Sequence, residues 1–157
     1  MKLWRIATET RKYPADDMSG AGAASKPGRW NDTGKAVIYA APTIAIAVLE
    51  TAAYVDDGGL PLNRFLVELD LPDDVWNSRE ELNASSLPPA WAAIPAGQTS
   101  VKIGCDWLDS MRSPVLLVPS VIVPEENAAL INPKHGPSLK ITSRVVRQFE
   151  YNRLFRT

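Results

Sequence analysis

The chain has 157 residues, 45% of them hydrophobic and 22% charged, enough for one globular domain that buries roughly two-thirds of the surface its unfolded chain exposes. Seventeen basic residues against eighteen acidic leave a net charge of -1, with no Lys/Arg cluster along any one segment, which argues against nucleic acid as a partner. With a single cysteine, Cys105, and a single histidine, His135, the chain can form no internal disulfide and supplies none of the usual zinc ligand sets, so a metal site would have to be all-carboxylate.

The N-terminus, Met1-Lys-Leu-Trp-Arg-Ile-Ala, lacks the apolar run of a signal peptide, and no stretch reaches the roughly 18 apolar residues that span a bilayer. The expectation is a cytoplasmic protein without a membrane partner. Leu3-Trp4-Arg5-Ile6 alternates as a first strand with Arg5 on one face. Residues 14–28, rich in Gly, Ala, Ser, Asp and Pro, read as a long surface loop of the kind that often covers a site.

Gly28-Arg29-Trp30-Asn31 and Gly34 form a glycine-flanked turn, followed by Ala36-Val-Ile-Tyr-Ala as a strand ending near Tyr39. Pro42 is placed at the first position of a helix whose core face is Ile44, Val48, Ala52 and Val55, closed by Asp56-Asp57-Gly58-Gly59. Glu50, with Thr43, Ala47 and Tyr54, lies on the neighbouring face, beside the buried stripe. Residues 64–71 alternate as a strand that stops at Pro72. Residues 73–100 read as short helices and turns, and Val101–Ser110 as an amphipathic helix with Trp107 and Leu108 inward.

Pro114-Val-Leu-Leu-Val-Pro-Ser120-Val-Ile-Val-Pro124 reads as two strands with a kink at Pro119 and Ser120. Glu125-Glu126-Asn127 leads through Leu130-Ile131 into Asn132-Pro-Lys-His-Gly-Pro137, a turn-dense loop, before a closing strand from Ser143 to Phe149. No repeat or linker divides the chain, so composition and periodicity give a single α+β domain.

A guanidinium in a glycine-flanked turn suits phosphate oxygens, yet from position alone a solvated loop arginine is the commoner reading of Arg29. A lone carboxylate beside an apolar helix face is paired or functional, because burying it alone is costly, and a structural pair with Arg5 or Arg29 answers that as well as catalysis does. Tyr39 reads either as a stacking ring or as a core tyrosine. Ser120 lacks a Gly-x-Ser-x-Gly elbow and is better read as a hydrogen-bonding serine than a nucleophile. His135 fits a general base or a turn residue. The Asp56-Asp57 and Glu125-Glu126 pairs read as solvated cap and turn charges.

Taken in order, Trp4-Arg5-Ile6, Gly28-Arg29-Trp30-Asn31, Val37-Ile-Tyr-Ala40, Ala47-Val-Leu-Glu50, Ile103-Gly104 with Trp107-Leu108, Arg112-Ser113, Val118-Pro-Ser120, Val123-Pro-Glu-Glu-Asn127 and Asn132-Pro-Lys-His135 resemble the RES-domain family. This is the toxin half of bacterial RES–Xre toxin–antitoxin modules, named for its Arg, Glu and Ser. The sequence departs from the family pattern at Asn127-Ala-Ala-Leu and at Gly136.

The resemblance implies a single domain over 1–157 with a mixed sheet core like the ADP-ribosyltransferase toxin fold, and an enzyme that cleaves the nicotinamide–ribose bond of NAD+ by phosphorolysis or hydrolysis. It implies Arg29, Glu50 and Ser120 as catalytic residues, with Ser113 a rival for the serine, and Arg5, Tyr39, Trp30, Asn31, Asn132 and His135 as substrate-binding residues. NAD+ is then a substrate, since no Gly-x-Gly-x-x-Gly follows a strand; no cofactor or metal is required. The implied partners are an Xre-type antitoxin and inorganic phosphate as acceptor. Protein ADP-ribosylation and an inactive antitoxin-binding module are the alternatives, and an apolar surface around Trp91 or Trp107 is where a homodimer would form.

Overall fold

The computed structural model describes residues 1–56 and 58–155, so Asp57 of the expected acidic cap lies outside the described residues. Two sheets stack face to face. One is antiparallel, in the order β1 (Lys2–Thr8), β3 (Arg64–Asp70) and β7 (Thr142–Phe149); the other is mixed, in the order β2 (Ile38–Ala40), β6 (Asn127–Ile131), β5 (Val115–Pro119) and β4 (Glu80–Glu81). Only β4 and β5 run parallel.

Strand periodicity sorts the side chains into layers. Leu3, Val67 and Leu69 of the first sheet meet Ile38, Val115, Leu117, Ala129 and Ile131 of the second to form the inter-sheet core. Leu116, Val118 and Leu130 point the other way and are covered by Trp30, Trp91 and the helix α4 (Gln98–Ser110), through Trp107 and Leu108. On the outer face of the first sheet, Ile6 and Leu66 pack against Ile46 and Ala47 of α2 (Ile44–Ala52) and against Tyr151. Strand β5, buried on both faces, therefore reads as an unbroken apolar run.

The two sheets touch at their edges. Trp4 of β1 and Ala41, just past β2, form an antiparallel bridge with both backbone hydrogen bonds at 2.8 Å. Both strands are edge strands. A cleft opens at this seam, and α2 lies across it.

Several sequence expectations are corrected. Pro42 precedes the helix, because Thr43 is the N-cap and its side chain accepts from the Ile46 amide. The helix ends at Ala52, ahead of the acidic turn, and its buried face is centred on Ile46 and Ala47, while Ile44 is exposed. Small Ala47 lets the helix sit close against Ile6 and Leu66, and that contact sets its rotation. Glu50, three residues after Ala47, thus follows the buried face.

Residues 121–123 form no strand. Ser120 Oγ accepts from the amides of Ile122 (3.1 Å) and Val123 (3.2 Å), so the side chain takes donors that a ladder would have used. Residues 127–131, to which the sequence assigns no element, form β6, a central strand made of small and apolar residues. Residues 14–28 are mainly loop but contain a short helix, α1 (Ala21–Ser25), and a second short helix, α3 (Asp73–Asn77), follows Pro72. Trp91 and Trp107 are 5% and 1% exposed and offer no outer surface to a second copy; Trp91 stacks on Trp30 at 6.0 Å between centroids.

Close packing of α4 depends on Gly104. A Cβ there would lie 1.7 Å from the Trp30 carbonyl oxygen. Gly104→Ala should cost about 3 kcal/mol by forcing the helix off the turn, whereas Gly136→Ala, where a Cβ meets nothing within 4 Å, should be near neutral. Urea unfolding midpoints at unchanged slope test the contrast.

Candidate active site

The seam cleft, about 280 Å³, is lined by Trp4 and Arg5 of β1, Tyr39 and Ala40 of β2, Ala47, Glu50 and Thr51 of α2, and Asp17, Gly20, Ala23 and Lys26 of the loop over it. A larger concavity of about 500 Å³ lies on the other side of α2, walled by Ala45, Val48, Leu49, Phe149 and Leu154 with Arg147, Arg153 and Glu150. It is the more apolar of the two and brings together no buried polar groups. The smaller cleft is the chemically equipped one.

Arg5 enters the cleft from a strand whose neighbouring side chains are core, so its head group is enclosed. Nη1 donates to the Asp17 carbonyl at 3.2 Å, while Nε is buried with no partner. Burial pulls the guanidinium below its ordinary pKa, and the nearby Asp17 charge opposes the shift. Glu50 Oε1 is likewise buried and unpartnered. One cleft thus holds an orphaned cationic donor and an orphaned anionic acceptor, an arrangement that is costly without a ligand.

Tyr39 is fixed by its polar end. Its hydroxyl donates to Asn31 Oδ1 at 2.7 Å and accepts from the Trp30 amide at 3.0 Å. The Gly28 amide donates to the same Oδ1 at 2.8 Å, and Asn31 Nδ2 donates to Ala23 O (2.8 Å) and Lys35 O (2.9 Å). Gly28 must be glycine here, since a Cβ would lie 2.8 Å from Tyr39 Cζ. Burial raises the phenol pKa, so Tyr39 stays neutral and offers its ring to the cleft.

Of the residues expected at the site, the cleft gathers Arg5, Tyr39 and Glu50. Arg29 is not among its lining residues: Nη1 donates to Trp91 O (3.0 Å) and Ala93 O (2.7 Å), tying the glycine turn to the segment before α4. Trp30 is buried on Trp91, and Asn31, 1% exposed, orients Tyr39 from behind. Ser120 is buried in its turn.

Asn132 caps the far end of β6, with Nδ2 on Leu108 O at 3.0 Å, and is four residues, or about 14 Å, from cleft-lining Ala128. His135 lies beyond it, also outside the cleft lining. The rival serine, Ser113, is 1% exposed; it accepts from Trp107 Nε1 at 2.9 Å and donates to Glu80 Oε2 at 2.5 Å, a structural relay.

Sequence reasoning missed Asp17, Lys26 and Thr51 as cleft residues. Asp17 carried a signal, an Asp-x-Ser turn in which Ser19 N and Oγ both donate to its carboxylate. Among the described residues no group of three or more His, Cys, Asp or Glu is placed to hold a metal ion, and no helix is long and apolar enough to cross a membrane.

This two-sheet architecture is that of a solved toxin. The chain superposes on a chain of the crystal structure of the M. tuberculosis MbcT-MbcA toxin-antitoxin complex with a TM-score of 0.66, covering 99% of this chain and 89% of that one at 16% identity. At that identity the likeness shows the fold.

Residues 2–153 match the RES domain, and the chain belongs to the RES-domain family. It is 52% identical over 150 residues to the "Prs ADP-ribosylating toxin" of Sphingobium sp. (strain YBL2), covering 96% of this chain and 93% of that protein. It is 38% identical to a "Toxin Res" of Yersinia enterocolitica and 35% to one of Pseudomonas putida, each over 86% of both chains.

The buried phenol makes stability depend on pH. Because folding raises the Tyr39 pKa above its ordinary value of 10.0, its contribution is complete below pH 10 and is lost as pH rises further, by about 1.4 kcal/mol per unit. Unfolding midpoints of wild type and Tyr39→Phe between about pH 9 and 11 should show that slope in the difference, with the variant less steep.

Proposed function

We propose that this protein is the toxin of a toxin–antitoxin pair and that its cleft breaks the bond between nicotinamide and ribose in NAD+. The observation that carries the reading is the pair of buried, unpartnered polar atoms, Arg5 Nε and Glu50 Oε1, in one cleft beside the Tyr39 ring. NAD+ offers a diphosphate for the guanidinium, a flat aromatic ring for Tyr39 and a reacting carbon for the carboxylate.

In this reaction the C1′–N bond breaks, its electron pair leaves with neutral nicotinamide, and the ribose becomes oxocarbenium-like. A carboxylate about 4 Å away, at an effective dielectric near 20, stabilises that charge by roughly 4 kcal/mol, or about three powers of ten in rate. Glu50 has the second task of accepting the proton of the incoming O–H. Tyr39, neutral and with its hydroxyl engaged, works through its ring. Arg29 would act through the turn it anchors, and Ser120 through the turn after β5.

The acceptor is inorganic phosphate, water or a protein side chain. The name of the relative at 52% identity, an ADP-ribosylating toxin, favours transfer to protein as the second reading. An antitoxin partner is supported by the fold it shares with the toxin of a toxin–antitoxin complex; we take that partner to be of the Xre type and both proteins to act in the cytoplasm.

Purified, antitoxin-free protein should release nicotinamide from NAD+. Products weighed with and without phosphate separate ADP-ribose 1″-phosphate from ADP-ribose, and adenine-labelled NAD+ with added protein reveals transfer. Glu50→Gln should lower turnover by about 10³ while leaving the fold intact, and Arg5→Ala should raise KM more than it lowers kcat. Full activity in Glu50→Gln would overturn the assignment. An inert wild type that still bound its antitoxin would indicate a binding module.

A further inference from the structure

Glu50 occupies the last turn of α2, two residues from its end at Ala52. That turn has little local support. A nine-residue helix is marginal on its own, the C-cap is Ala53 and not glycine, no basic residue lies in the final turn, and an acidic side chain near a helix C-terminus opposes the helix dipole. Yet the carboxylate must be held in place if it is to act on one ribose carbon.

The support comes from the other end of the chain. Thr51 Oγ1 donates its single proton within the helix, towards Ala47 O (3.1 Å) and Val48 O (3.0 Å), so the 2.7 Å contact with Tyr151 requires the tyrosine hydroxyl to donate. Tyr151 is 2% exposed, sits in the single turn after β7, meets Phe149 edge-on at 4.9 Å, and packs with Ile46 and Ala47. It is therefore rigid, and Thr51 is the one α2 side chain it hydrogen-bonds.

We infer that Tyr151 is a positioning residue for Glu50, fixing the last turn of α2 through Thr51 without touching the cleft. The inference rests on the reading above for what Glu50 does, but the hold on the turn is measurable by itself. Tyr151→Phe keeps the ring and removes the donor; Thr51→Val removes the acceptor and serves if the first variant folds poorly.

Hydrogen exchange should quicken about fivefold, the equivalent of one hydrogen bond, at the amides of Ala53 and Tyr54, which bond to Leu49 O and Thr51 O. It should stay unchanged in β5 and β6. Nicotinamide release should show kcat lowered about fivefold with KM for NAD+ unchanged, and the double variant should be no worse than either single one.

Unchanged exchange at Ala53 and Tyr54 would overturn the inference. So would faster exchange with wild-type kcat, or additive losses in the double variant. Wild-type protein that leaves NAD+ intact would overturn the NAD+ reading instead, and the exchange rates would still decide whether Tyr151 holds the turn.

Discussion

The arrangement of the cleft depends on one buried side chain, Asn31. Its amide oxygen takes the Tyr39 hydroxyl and the Gly28 amide, and its amide nitrogen reaches two carbonyls, Ala23 on the covering loop and Lys35 before β2. Both side-chain polar atoms of a 1% exposed residue are thereby occupied. Loss of the side chain would leave several buried groups unpaired at once, each costing about 1–3 kcal/mol. The loop, the glycine turn and the strand edge are therefore held as one piece, and Tyr39 with them.

Against this fixed wall stands α2, seated by apolar contact along its body and tied at its last turn by the Tyr151 hydroxyl on Thr51. Ala47 and Ile46 seat the helix on the first sheet, and the carboxylate of Glu50 is brought to the cleft by helical spacing from that seat. Arg5 arrives from a strand with core residues on both sides. Neither charge finds a protein partner for its buried atom. Such a cleft favours ligands that carry both an anionic group and a region of developing positive charge.

The elements legible in the sequence were those with a long, unambiguous period: β1, β3, α4 and β7, together with Glu50 beside a buried stripe. The failures have local causes. The run Val121–Val123 has strand composition, but Ser120 diverts its amides; β6 is built of Asn, Ala, Ala, Leu and Ile, which carries a weak strand signal until β2 and β5 flank it. Three alanines in α2 made the phase of its apolar face ambiguous. Arg29 has a different lesson: its Nη1 reaches carbonyls more than sixty residues away, a contact that no local pattern announces. The pairing of Tyr151 with Thr51, across a hundred residues, has no sequence period to betray it.

The bridge between Trp4 and Ala41 makes the cleft a gauge. Arg5 is the next residue on one strand and Tyr39 is two residues back on the other, so both are measured from the same pair of 2.8 Å hydrogen bonds. Paired strands keep a spacing of about 4.8 Å whatever side chains they carry. Evolution can exchange the residues that fill the cleft, but the span between its anion-seeking side and its aromatic side is written in backbone geometry and changes only if the seam itself is redrawn.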